Sequence, residues 1–325
     1  VEKIQIAVLG LGTVGSGVKN ILQEKKELLK ERIFQKTGLE REIEIKKILI
    51  RDINKVYDVD KELLTEDFED ILNDDDIKIV VELIGGNQPA TDYMIKAMKA
   101  NKNVITANKL VIAKSNGLLE KVAKENDVRF MYEASVAGTV PVIKVINDSL
   151  VGNSISKISG IVNGTTNYIL SKMTNENKSF EEALKSAQDL GFAESDPSSD
   201  IDGDDSLYKI AILSKLAFST EIDLEKISKQ GIRHITKTDI ENAKNSNKRI
   251  KFLAQAEKKE GKVVISVSPV EIDSKHPLAN VEGAMNAVCI SCDNAGEIML
   301  QGAGAGSRPT ASAVVSDIFS VASKL

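Results

Sequence analysis

Ile4-Gln5-Ile6-Ala7-Val8-Leu9-Gly10-Leu11-Gly12-Thr13-Val14-Gly15 stands near the head of the chain, and its reading decides the fold. The apolar run before the glycines predicts a short buried strand. The spacing of Val18, Ile21 and Leu22 behind them predicts a helix with one apolar side. A G-x-G-x-x-G motif alone is a weak signal. Set between a strand and a helix at the start of an alternating β/α unit, it has the context that a dinucleotide fingerprint requires. Glycines there let the backbone approach a pyrophosphate, and the helix N-terminus supplies N–H donors and partial positive charge. Gly10, Gly12, Thr13, Val14 and Gly15 are therefore the first candidate cofactor-binding residues.

Working outward, strands are expected at 43–50, 77–84, 104–106 and 128–132, with helices at 68–72 and from Pro89 onward. Strands alternating with helices imply right-handed crossovers and a parallel sheet covered on both faces. After about residue 150 the alternation stops. A strand at 155–162 precedes helices at 166–173 and 180–190, and further strands are expected at 263–270, 287–292 and 298–301. The fold class is thus α/β: a Rossmann-type parallel-sheet domain over 1–150, a second α+β domain over 151–304, and a helix within 305–325 that rejoins the first.

The sequence has 325 residues, 42% apolar and 28% charged, as expected of a globular protein of two domains. A net charge of -5 argues against a nucleic-acid partner. No segment has the roughly 18 uncharged apolar residues of a membrane span. With no basic, cleavable leader pattern, the expected location is the cytoplasm. Cys289 and Cys292 are the only cysteines, and His234 and His276 the only histidines. In a strand, positions three apart face opposite ways, so the two sulfurs diverge and read first as structural thiols, with a redox or metal role left open.

The residue ending the second strand selects between cofactors: an acid binds the ribose 2′-hydroxyl, an arginine accommodates a 2′-phosphate. Here Arg51 is followed by Asp52, with Lys55 close by. The arginine favours NADP, and Asp52 leaves NAD open. A charged, helix-like insertion at 28–41 accounts for a longer spacing from the glycine loop than the usual ~20 residues.

Chemistry concentrates at 191–209, Gly-Phe-Ala-Glu-Ser-Asp-Pro-Ser-Ser-Asp-Ile-Asp-Gly-Asp-Asp-Ser-Leu-Tyr-Lys. Asp-Pro and Asp-Gly punctuate an acid-rich loop, and the apolar spacing from Leu207 to Ala217 predicts a helix. Asp205 and Lys209 then lie one turn apart on one face. Alone, such a pair is ordinarily a solvated salt bridge worth about 0.3–0.5 kcal/mol. A calcium loop is excluded, because with Gly203 at its sixth position Ser198 and Lys209 fall where acids are required.

Taken together these segments resemble the homoserine dehydrogenase family. The resemblance runs essentially end to end, through 10–15, 80–86, 106–109, 132–136, 160–167, 191–209 and the 304–311 return. It implies reversible, NAD(P)-dependent interconversion of L-homoserine and L-aspartate 4-semialdehyde, within threonine, methionine and isoleucine biosynthesis, by a homodimer whose interface lies in the second domain. It also implies that Lys209 is the catalytic lysine, that Asp205 orients it, and that Lys109 is a second functional lysine near nicotinamide and substrate. By the same resemblance Glu194 and Asp200 take the substrate's amino end, and Gly306 joins the cofactor site.

Glu133, Val136, Gly138 and Val140 match a family site for a monovalent cation, usually sodium, although Ser135-Val-Ala-Gly-Thr-Val-Pro141 replaces the more usual glycine-rich run. The sequence shows neither an aspartate-kinase segment nor a regulatory domain of the kind many relatives carry, so threonine feedback through such a domain is not expected. Two other readings stay open at this level: a dehydrogenase of another small amino acid, and a catalytically silent NAD(P) sensor.

Overall fold

The computed structural model describes residues Val1–Leu325. They form two compact units, one of Val1–Ser135 with Gly306–Leu325, the other of Val136–Ala305. The first begins with β1 (Glu2–Leu9), α1 (Thr13–Glu24), α2 (Lys26–Thr37) and β2 (Arg41–Leu49). It continues through β3 (Leu64–Thr65), α3 (Glu69–Leu72), β4 (Ile77–Glu82), α4 (Ala90–Lys99) and β5 (Asn103–Thr106). It then runs through α5 (Lys109–Lys114), α6 (Leu118–Glu125) and β6 (Phe130–Met131). All of its strand pairs are parallel, in the order β3-β2-β1-β4-β5-β6. This is the doubly wound dinucleotide-binding arrangement.

Neighbouring residues of β1 serve different cores. Ile4, Ile6 and Val8 pack in one cluster with Val18 and Leu22 of α1, while Ala7 and Leu9 pack in another with Met94 and Met98 of α4. A strand buried on both sides loses its polar alternation, which is why 4–9 reads as a nearly continuous apolar run. Each large aliphatic side chain so buried contributes about 1.5–3 kcal/mol. The insertion expected at 28–41 is largely α2, closed by Gly38 at φ 74°.

The second unit contains α7 (Val142–Lys144), β7 (Ile155–Ile161), α8 (Gly164–Glu176), α9 (Phe180–Asp189), α10 (Ser198–Ile201) and α11 (Asp204–Phe218). After these come β8 (Ser228–Lys229), α12 (Lys237–Asn245), β9 (Lys248–Lys259), β10 (Lys262–Asp273), β11 (Met285–Cys292) and β12 (Gly296–Ala303). Its sheet, ordered β12-β11-β7-β9-β10-β8, is antiparallel except where β8 meets β10. Residues 136–150 lie in this unit, with the turn after α7 in contact with α11. The twelve-residue β9 was not anticipated, and the stretch read as an unbroken loop before α11 holds the one-turn helix α10.

The last element, α13 (Ser307–Ala322), returns to the first unit. Val314, Ile318 and Val321 complete the cluster around α1. Gly17 makes that approach possible, since a Cβ there would meet Ser307 O at 2.7 Å and the Ala311 Cβ at 2.9 Å.

Candidate active site

In the first unit, the turn between β1 and α1 uses its glycines for separate reasons. Gly10 sits at φ 98°, and a Cβ on it would press on Leu83 O and Ile84 at 3.0 Å. A Cβ on Gly15 would stand 2.1 Å from Gly10 O, so only glycine lets the helix start this close to the strand. Gly12 faces open space, with nothing within 4 Å of its would-be Cβ. Here a ligand can approach the backbone. As N-cap of α1, Gly12 offers no side-chain acceptor, and the first turn, with Thr13 and Val14, carries no acid. Uncapped N–H donors with no competing carboxylate suit an anion.

This turn opens on a cavity of about 540 Å³ whose walls include Leu11, Ile50, Arg51, Asp52, Lys55 and Tyr93. Arg51 is exposed and its guanidinium makes no hydrogen bond or ion pair. The Asp52 carboxylate is engaged locally, accepting from Asn54 N at 2.9 Å. A second opening, of about 600 Å³, lies along α1 and β2, but its lysines are paired, Lys19 with Asp58 and Lys26 with Glu42.

Lys109 begins α5 and is half-buried. The turn before it is tied to β4 through a buried carboxylate. Thr106 Oγ1 donates to Glu82 Oε2 at 2.6 Å, and Ile84 N and Gly85 N donate to Glu82 Oε1 at 2.9 and 3.1 Å. Asn108 caps α5 and donates to Gly86 O at 2.7 Å. Gly306, at φ 131°, caps α13. Glu133 is buried, and its N–H donates to Asp317 Oδ2 at 2.8 Å.

In the second unit, α11 brings together residues that the sequence could only suggest. Lys209 Nζ donates to Asp205 Oδ2 at 2.6 Å and to Val162 O at 2.7 Å. Both side chains are buried, so this is not the solvated pair that i,i+4 spacing ordinarily gives. Asn163, buried at the start of α8, bridges two acids: its Nδ2 donates to Asp200 Oδ1 at 2.7 Å and to Asp205 Oδ2 at 2.8 Å. Its Oδ1 meanwhile accepts from Thr166 N at 2.9 Å, capping α8. Burial, and then the charge of Asp205, push the Asp200 carboxyl above its ordinary range.

Asp200, Asp205 and Lys209 are thus joined through Asn163, a residue missing from the sequence-derived site. Its signal was present, since an Asn directly before Gly-Thr-Thr at a helix start is an N-cap pattern. Glu194 is not part of this cluster: it lies exposed in the loop after α9, where its carbonyl accepts from Gln188. Val136, Gly138 and Val140 are buried, with Gly138 at φ 60° packed so closely on Ala303 and Gly304 that a Cβ would lie 2.5 Å or less from their carbonyl oxygens. Cys289 lies in the core and burial pushes its thiol up to about 11, while Cys292 is half-exposed; both are free.

Both units have counterparts among known proteins. Residues 10–133 match the family model described as homoserine dehydrogenase, NAD binding domain, and residues 141–319 match that for homoserine dehydrogenase. The chain is 42% identical to homoserine dehydrogenase of Bacillus subtilis (strain 168) over 322 residues, 98% of this chain and 73% of the relative.

This chain belongs to the homoserine dehydrogenase family.

Solved structures agree. A homoserine dehydrogenase from Thiobacillus denitrificans superposes with a TM-score of 0.93 at 40% identity, over 99% of this chain and 74% of the other. A hyperthermophilic archaeal homoserine dehydrogenase in complex with NADPH does so with a TM-score of 0.83 at 29% identity, over 99% and 98%. Membership makes the chain an oxidoreductase with a nicotinamide-dinucleotide domain. No helix is long and apolar enough to cross a membrane.

Proposed function

We infer that the chain catalyses the reversible NAD(P)-dependent interconversion of L-homoserine and L-aspartate 4-semialdehyde, with NADP preferred. The observation that carries this reading is the buried Lys209 ammonium held between Asp205 and Val162 O, with Asp200 brought alongside by Asn163. When bound, the nicotinamide supplies or accepts the hydride. The residues of this chain handle the proton and the charges.

Lys209 gives its proton to the substrate oxygen in the reducing direction and takes it back in the other, and its charge stabilises the developing alkoxide. Asp205 orients the ammonium. Asp200, with Glu194, takes the substrate's own ammonium, for which carboxylates are fitting acceptors. Lys109 serves as the second functional lysine. Gly10, Gly12, Thr13, Val14, Gly15 and Gly306 hold the dinucleotide. The free Arg51 guanidinium pairs with a 2′-phosphate, while Asp52 is occupied by its own turn. A monovalent cation, sodium, would be held by Glu133 with the backbone of Val136, Gly138 and Val140. A homodimer in the cytoplasm, with the first unit binding nucleotide and the second binding substrate, completes the proposal.

The test is nicotinamide absorbance in the presence of homoserine, with NADP and NAD in parallel. Reduction with a higher kcat/KM for NADP is expected. Folded protein that binds nucleotide yet reduces neither cofactor would overturn the reading in favour of a sensor or of another substrate.

A further inference from the structure

Asp200 stands on α10, a helix of one turn. Such a helix carries the cost of nucleation without the gain of propagation, and something outside it must hold it. The segment 231–233 does so. Ile232 N donates to Ile201 O at 2.9 Å, and Gly231 comes so near that a Cβ would lie 2.4 Å from that oxygen.

Arg233 then reaches both ends of the turn. Its Nε and Nη2 grip the Asp202 carboxylate at 2.5 and 2.9 Å, and the same Nη2 donates to Ser198 Oγ at 3.1 Å. Ser198 begins α10 and Asp202 is its C-cap, so one guanidinium spans the helix. Between those ends, the Asp200 carboxylate turns to Asn163. The charges are sorted in the same way. Arg233 pairs with Asp202 and Lys229 with Asp204, which leaves Asp200 and Asp205 as the acids at the Lys209 cluster.

We propose that Arg233 is a positioning residue for substrate: by clamping α10 at both ends it fixes the Asp200 carboxylate where the amino acid's ammonium is taken up. This rests on the assignment of Asp200 to that ammonium. A lysine at 233 would keep the charge but not the planar fork that spans the turn.

The experiment compares Arg233→Met, Arg233→Lys, Asp202→Asn and Asp200→Asn by steady-state kinetics with homoserine and NADP, with circular dichroism as the check on folding. Arg233→Met is expected to raise KM for homoserine about tenfold while KM for NADP and kcat stay within about threefold. Arg233→Lys shares most of that loss. Asp202→Asn reproduces it, and the double variant Arg233→Met with Asp202→Asn is no worse than either single change, because both remove one contact.

A wild-type homoserine KM in Arg233→Met or in Arg233→Lys, additive losses in the double variant, or an equal rise in both KM values would each overturn the proposal. If Arg233→Met does not fold, Arg233→Lys and Asp202→Asn decide alone. Asp200→Asn separates the two assignments: an unchanged homoserine KM there removes the ammonium assignment itself. A raised KM there with a normal Arg233→Met removes only the clamp.

Discussion

Replacing Asn163 by Asp changes almost nothing in shape and everything in hydrogen-bonding sense. Asp caps a helix as well as Asn does, so the bond to Thr166 N survives. What is lost is the Nδ2 donor that now reaches Asp200 at 2.7 Å and Asp205 at 2.8 Å. Hydrogen bonds to charged groups contribute about 1.5–3 kcal/mol each. Asp200 is only half-buried, so its share belongs at the low end or below. The loss comes to about 3 kcal/mol, before any repulsion among the carboxylates at 163, 200 and 205.

That repulsion gives the prediction a pH signature. A third carboxylate in this cluster has a folded pKa above its unfolded value of about 3.9, as burial and Asp205 already give Asp200. The folded variant therefore binds more protons than the unfolded chain above that value. Its stability deficit is smallest in acid and grows as pH rises through the folded pKa. Urea unfolding followed by circular dichroism, at neutral and mildly acidic pH, reads this directly. A variant within about 0.5 kcal/mol of the parent at neutral pH, or a deficit that grows on acidification, would refute the bridging role.

Three further expectations follow from the same geometry. Lys209→Ala loses about 10²–10⁴-fold in turnover with nucleotide affinity near that of the parent, measured by steady-state kinetics and nucleotide titration. Gly12→Ala folds with an unchanged melting temperature but binds NADP poorly, because its methyl enters open space meant for the ligand; Gly15→Ala is destabilised, because its methyl would stand 2.1 Å from Gly10 O. Thermal melts with and without NADP separate the two. A disulfide reagent modifies Cys292 well before Cys289, whose buried thiol is held up near 11, and peptide mapping after timed labelling shows the order.

The glycine turn between β1 and α1 was legible because every requirement is local: a strand, three glycines and a helix face within 4–22. The pairing of Asp205 with Lys209 was also local, one turn of helix. Its burial was not, since that depends on Val162 O and Asn163 arriving from the turn just before α8. Asp200 was named from resemblance, but its place beside Asp205 is tertiary. β9 escaped notice for a different reason. Ile250 to Ala254 are all buried, including Lys251, so the alternation of a half-exposed strand is missing and a lysine interrupts the apolar run. Lys251 is tolerated because its Nζ donates to Val281 O at 2.6 Å, and burial lowers its pKa to about 8. Nothing in the sequence around it announces that environment.

The return of α13 to the first unit has a consequence for biosynthesis. Val136–Ala305 is a continuous stretch, and every strand of its sheet has been translated before Val314, Ile318 and Val321 are added. The earlier-made β1 and α1 wait for that helix with one flank of their core uncovered. The unit whose strands emerge first is thus the one completed last, and a nascent chain stalled before residue 306 holds its nucleotide-binding sheet unfinished beside a fully translated partner unit.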